Sequence, residues 1–418
     1  MSKNWIYLLL IPLIFTGCRD RERAKCCCSL TEEQFTPVLV DIFEPTPPVP
    51  GTDNKYHLLY GLRLTNAGNL PAQLEKIEVL DGCNEDKVVE SFSGMDLRNN
   101  LAHLNAAPVD SSDLEVDSSK IFFVKLAFDQ KEEIPNYLKH RLTLKGSAGP
   151  GSKSQSPLTY ESGRFSVCKT ELLSLQPPLK GKGWTAFNSC CSSEGVHQNS
   201  LLPVNGRLYN AQRFAIDFMK LDDKGTLYSG DPSDPANWHC YNESVYAVED
   251  GTVVSVLEGL DDQPPGDLPD PESITLKTVT GNHIVIKLRS GVYAFYAHLK
   301  KGSIKVKEGD MVIQGDEIAR VGNSGNTSAP HLHIHLTRTP SPIGSAPVPY
   351  TYDHFKLTGF IKSDSFYGQE KLDSVQVVSA EESEAGADDE PDKIVTIPDE
   401  WRRHQLPLDL NIVEFEQL

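Results

Sequence analysis

The chain has 418 residues, of which 39% are hydrophobic and 23% charged; at ~150 residues per domain this length suggests two or three folded units, and the composition excludes a polytopic membrane protein, a collagen-like chain and a wholly disordered one. Lys and Arg number 40 against 58 Asp and Glu, a formal net charge of -18. The attraction to phosphate that drives nucleic-acid binding is missing, so no nucleic-acid partner is expected.

The first apolar run, residues 5–15, follows Lys3 and stops at Thr16-Gly17-Cys18. It is shorter than the ~20 residues needed to span a bilayer, and residues 1–17 read as a signal peptide. Small residues directly before a cysteine resemble the lipobox of bacterial lipoproteins, although Phe15 stands where that box prefers Leu. On this reading Cys18 is lipidated, residues 18–36 form a polar tether, and the protein is exported to the cell envelope and held on a membrane surface. The competing reading is an ordinary secretory signal with an incidental cysteine. The other cysteines, Cys26, Cys27, Cys28, Cys83, Cys168, Cys190, Cys191 and Cys240, would then meet an oxidising compartment that allows disulfides. They contain no CxxC pair, so a structural zinc knuckle is not expected.

Within residues 37–168, period-2 apolar runs at 38–43, 56–64, 74–80, 121–128 and 138–144 predict strands. Turn-forming residues at 65–69 and 148–151 separate some of them. The pattern is that of an immunoglobulin-like β-sandwich, and it holds no convergent set of His, Ser or acidic residues, so a spacer or binding module is expected. Residues 169–365 are again β-rich, punctuated by Gly309-Asp310 and Gly315-Asp316, and denser in histidine. Residues 366–418 form an extension. Its stretch 381–392 is acidic and nearly free of apolar side chains, which predicts a solvated loop. Trp401 and the Leu406-Pro407-Leu408 run beyond it predict an end docked on a domain.

His331-Leu332-His333-Ile334-His335-Leu336 alternates strictly, so a strand here puts three imidazoles on one face and the aliphatic side chains on the other. The polar loop Gly322-Asn323-Ser324-Gly325-Asn326-Thr327 before it lacks the Gly-Lys-Ser/Thr ending of a phosphate cradle. Asp217 is a lone acid in Phe214-Ala215-Ile216-Asp217-Phe218 and needs a partner, because an unpaired buried carboxylate is costly. His298 closes the apolar run 292–297, and alternation puts it on the face of Tyr296 and Ala294. Imidazoles with one carboxylate are a donor set that zinc favours.

In order and spacing, Arg213-Phe214-Ala215-Ile216-Asp217-Phe218, Tyr296-Ala297-His298-Leu299, Val306-x-x-Gly309-Asp310-x-Val312-x-x-Gly315, and Gly322-Asn323-Ser324-Gly325 before Pro330-His331-Leu332-His333 resemble the lysostaphin/LytM-type zinc metallopeptidases. The turn Ala247-x-x-Asp250-Gly251-x-Val253 fits as well. The resemblance covers about residues 184–355 and implies a β-rich, duplicated-hybrid-motif domain after the sandwich. It implies an endopeptidase that hydrolyses bacterial peptidoglycan peptides by a zinc-activated water. Carried over residue by residue, it makes Asp217 and His333 zinc ligands and His298 and His331 catalytic imidazoles. The family's first ligand, four residues before the aspartate, is replaced by Arg213, which cannot ligate. His197, in the loop before the Asp217 strand, is assigned instead, with His239 a weaker substitute. His335 is read as orienting His333. A catalytically inactive relative that binds the cell wall or activates other hydrolases is the alternative. A cytoplasmic phosphocarrier of related fold is excluded by the export signal.

Overall fold

The computed structural model describes residues 33–84, 87–191, 195–266, 268–362, 376–379 and 393–416. Cys18, the signal stretch, Cys26, Cys27, Cys28 and the acidic stretch lie outside these residues. The described residues from Phe35 onward pack as one unit, and they are almost all strand, turn and loop.

The long strands of the first half are β1 (Val38–Phe43), β2 (Tyr56–Asn66), β3 (Ala72–Asp81), β4 (Ser119–Phe128), β5 (Tyr137–Ser147) and β6 (Gln155–Ser166). One sheet carries β1, β2 and β4 side by side, and the other carries β6, β5 and β3, so the expected sandwich is present. The sequence reading finds β1 to β5 to within a few residues at each end. It misses β6, an edge strand carrying Ser, Thr and Glu, half of whose residues are exposed and only one buried. A polar edge strand has no apolar stripe to detect.

Leu58, Tyr60, Leu62 and Leu64 of β2 meet Phe122 and Val124 of β4, Ile77 of β3 and Leu142 of β5 in the sandwich core. Several of the intervening residues are buried as well, although Arg63 is exposed. Leu59 belongs to the core of the second half, and Ile121 and Phe123 pack with Leu201. Around Leu59, Ile121 and Phe123 the sheet is therefore buried on both faces, which accounts for apolar runs more continuous there than strict alternation requires.

The second half adds β7 (Gly181–Phe187), β8 (Ile216–Lys220), β9 (Gly251–Leu257), β10 (Asn282–Leu288), β11 (Tyr293–Leu299), β12 (Leu332–Thr337), β13 (Tyr350–Lys362), β14 (Lys393–Gln405) and β15 (Asn411–Phe415). They lie in one large sheet in the order β9-β10-β11-β12-β8-β7-β15-β13-β14. The C-terminal strands thus extend the sheet that carries the histidines. They also reach the sandwich, where Arg402 Nη1 donates to Asn54 Oδ1 at 2.8 Å. At the Gly-Asp turns the aspartates cap the chain: Asp310 Oδ2 accepts the Lys307 N–H at 3.0 Å and Asp316 Oδ2 the Ile313 N–H at 2.9 Å.

Candidate metal centre

β7, β8, β12 and β11 are consecutive in the large sheet, and pairing sets Phe187, Asp217, His333 and Ala297 in one row across it. Their neighbours Ile216, Phe218, Leu332 and Ile334 point into the core. Alternation thereby leaves Asp217 on the opposite face, among polar groups.

Asp217 Oδ1 lies 2.8 Å from His333 Nδ1. His197 Nε2 stands 3.4 Å from Asp217 Oδ2, and His331 Nε2 stands 3.4 Å from Asp217 Oδ1. The ligand atoms of His197, Asp217 and His333 fall within 4.8 Å of one another, as do those of His298, His331 and His333. His333 is common to both sets. His239 belongs to neither; it faces Asp222 at 3.8 Å and the Thr226 and Ser229 hydroxyls at 3.4 Å.

His298 reaches the site by a backbone irregularity. Tyr296, on whose face alternation puts it, is in the core. The pairing of β10 with β11 slips between Asn282 and Ile284, where Leu299 and Tyr296 are the partners, so β11 carries an extra residue. His298 adopts a left-handed φ of 57° in this bulge, uncommon outside glycine. Its ring centroid lies 4.8 Å from that of His331 and 5.8 Å from that of His333. The expectation that it shares the face of Tyr296 and Ala294 is corrected here, because a bulge re-aims the side chain that a regular strand would bury.

Backbone carbonyls only accept hydrogen bonds, so the ring nitrogen facing each one carries the proton. His197 Nδ1 donates to Asn188 O at 3.1 Å, His298 Nδ1 to Ser324 O at 2.8 Å and His331 Nδ1 to Ala329 O at 2.8 Å. His335 Nε2 donates to Pro342 O at 2.9 Å, which leaves His335 Nδ1 to accept the His333 Nε2–H at 2.8 Å. His197 Nε2 and His333 Nδ1 therefore turn lone pairs toward the Asp217 carboxylate. Lone pairs meeting in a buried site repel unless a cation or proton lies among them, so the residues fit a divalent metal. Nitrogens plus one carboxylate are what zinc takes.

Burial pushes His197 down to about 4. It also holds His298 and His335 well below the usual histidine range, with the neighbouring imidazoles adding to the effect. His331 differs: burial lowers it, but the adjacent Asp217 carboxylate outweighs burial and raises it. Burial alone would raise Asp217, yet the imidazoles of His197, His331 and His333 gathered around it outweigh burial and keep it well below the carboxylate range.

Residues to which the sequence reading gives no role at the site hold these groups. Asn188, at φ 56°, accepts from His197 through its carbonyl and donates Nδ2 to Asp217 Oδ2 at 2.7 Å. Its left-handed turn and the Cys190–Cys191 disulfide just after it mark a tight loop, with no signal linking it to a residue 29 positions on. Ser324 Oγ donates to Leu299 O at 2.7 Å, pinning the loop that receives His298. A side chain at Gly281 or Gly325 would collide where this loop crosses the start of β10, Gly281 against Ser324 and Gly325 against the Gly281 backbone.

Residues 238–344 match peptidase family M23. The chain carries an M23 peptidase domain. The matched stretch holds His298, His331, His333 and His335, while His197 and Asp217 precede it. This is the LytM-type metallopeptidase family whose motifs the sequence resembles. Similar solved structures include the catalytic domain of the prophage-encoded M23 protein EnpA from Enterococcus faecalis, at 25% identity over 29% of this chain and 82% of that one, TM-score 0.19. A putative glycyl-glycine endopeptidase LytM from Ruminococcus gnavus is 20% identical over 31% of this chain and 44% of its own, TM-score 0.19. A zinc-containing peptidase from Vibrio cholerae is 14% identical over 67% and 77%, TM-score 0.20.

Proposed function

We propose that the protein is an exported zinc metallo-endopeptidase that hydrolyses peptide bonds of bacterial peptidoglycan from a lipid-anchored position in the cell envelope. The observation that carries this reading is the convergence of His197, Asp217 and His333, with His298 and His331 on the same side. His197 Nε2, Asp217 and His333 Nδ1 would hold the metal. Bound zinc supplies a Lewis acid for the scissile carbonyl and lowers the pKa of water toward ~7.

The protein's own groups do the rest. Asp217 brings the negative charge that offsets a divalent cation. His335 and the Asn188 carbonyl keep the proton on the far nitrogen of His333 and His197, so the near nitrogen stays a donor of its lone pair. His298, neutral and locked by Ser324 O, offers Nε2 to accept a proton from attacking water. His331, whose proton Asp217 favours, offers Nε2–H to the carbonyl oxygen or the leaving amide nitrogen. Export draws support from the disulfides at Cys168 and at Cys190–Cys191.

The test measures zinc content and muropeptide release from purified peptidoglycan. About one zinc per chain with release of soluble fragments is expected. A fully zinc-loaded protein that releases nothing would favour the inactive, wall-binding alternative, which the Arg213 replacement otherwise suggests.

A further inference from the structure

Arg213 occupies the position from which a ligand is missing, yet it is 2% exposed and its guanidinium is bound to Glu44. Its Nη1 donates to the backbone carbonyl of Glu44 at 2.7 Å, and its Nη2 lies 3.8 Å from Glu44 Oε2. Glu44 belongs to the sandwich, directly after β1, and sits at a left-handed φ of 45°. Non-glycine residues hold such a conformation only where surrounding contacts impose it.

From Glu44 a closed ring of hydrogen bonds runs through the metal-binding half. Glu44 Oε2 accepts the Asn210 N–H at 3.0 Å. Asn210 Nδ2 donates to Gln198 O at 2.7 Å, Gln198 Nε2 donates to Arg213 O at 2.7 Å, and Arg213 returns to Glu44. Gln198 adjoins His197 on the short turn Val196–Asn199. Arg213 leads into the strand of Asp217. The ring members from the second half are all buried: Asn210 is 0%, Gln198 2% and Arg213 2% exposed. Hydrogen bonds in such a site are strong, and a broken one is not replaced by water.

We propose that Glu44 is a positioning residue of the metal centre: through Arg213, Asn210 and Gln198 the β-sandwich fixes His197 at Asp217, so the site is complete only when both halves are present. The position that has lost a ligand has become the anchor for the segment that supplies the substitute. This rests on zinc binding as proposed above.

The experiment is chelator-competition titration of zinc on the full-length protein, alongside circular dichroism and the visible spectrum of the cobalt-substituted form, which reports coordination and not fold. Glu44→Ala and Arg213→Met should each lower zinc affinity ~10-fold, as is usual for groups that orient ligands, and change the cobalt spectrum. Glu44→Gln, which keeps an acceptor for the Asn210 N–H, should recover most of the affinity. Leu142→Ala, a cavity in the sandwich core, should lower thermal stability and leave affinity unchanged. Unaltered affinity in both Glu44→Ala and Arg213→Met, or an equal loss in Leu142→Ala, overturns the proposal. A wild type that takes up no zinc overturns the proposed function first and this inference with it.

Discussion

Asp217 Oδ1 and His333 Nδ1 lie 2.8 Å apart on directly paired residues of neighbouring strands. Because His335 accepts the proton-bearing side of His333, the two groups meet acceptor to acceptor. A sheet register thus creates a demand for positive charge between the two, which a metal ion or a proton would meet.

Asp217→Asn should therefore cost most of the zinc affinity. The amide keeps the size and one oxygen but loses the charge that offsets a divalent cation. Metal analysis after dialysis reads this directly, and zinc content equal to wild type would count against ligation by Asp217.

His298→Ala and His331→Ala should retain zinc and each lose activity by ~10²-fold or more, the usual scale for an imidazole that transfers protons or stabilises an oxyanion. Muropeptide release from zinc-saturated variants is the measurement. Wild-type rates in either would remove that residue from the chemistry.

His335→Phe should weaken zinc binding ~10-fold or more, since it deletes the acceptor that fixes the His333 tautomer. The stacking on Phe295, at 5.3 Å between centroids, can persist in the variant, so packing and proton placement are separated. Full affinity would show that His333 needs no such partner.

His140 of β5, buried against the Tyr60 hydroxyl and the Gly163 carbonyl, is pushed down by burial to about 4, against ~6.5 in the unfolded chain. Below pH ~6.5 the unfolded state then binds the extra proton, so this stabilisation, on the order of 3 kcal/mol, is present above that pH and is lost as pH falls toward the folded value. Titration of the His140 ring resonance by NMR checks it. A midpoint near 6.5 would refute the burial argument.

Cys18→Ser should move the protein from the membrane fraction to the soluble fraction, since a diacyl anchor contributes ~0.8 kcal/mol per buried methylene. Equal recovery of both forms in the soluble fraction would mean that the cysteine carries no lipid.

The histidine ladder was legible in the sequence because a two-residue period leaves no choice: if His331, His333 and His335 lie on a strand, they share a face. The same logic marked Asp217 as the lone acid of an apolar strand, and most sandwich strands as apolar runs between turns. Local periodicity could not place His298, since a bulge breaks the period at that residue, and it gave the wrong face. Nor could it show that Asn188 ties His197 to Asp217, that Leu59 and Phe123 look outward from the sandwich into the second half, or that Arg213 reaches back to Glu44. These contacts join residues up to 169 positions apart. Such pairings depend on how two sheets pack, and packing is decided by the burial of whole faces, not by the pattern within any one strand.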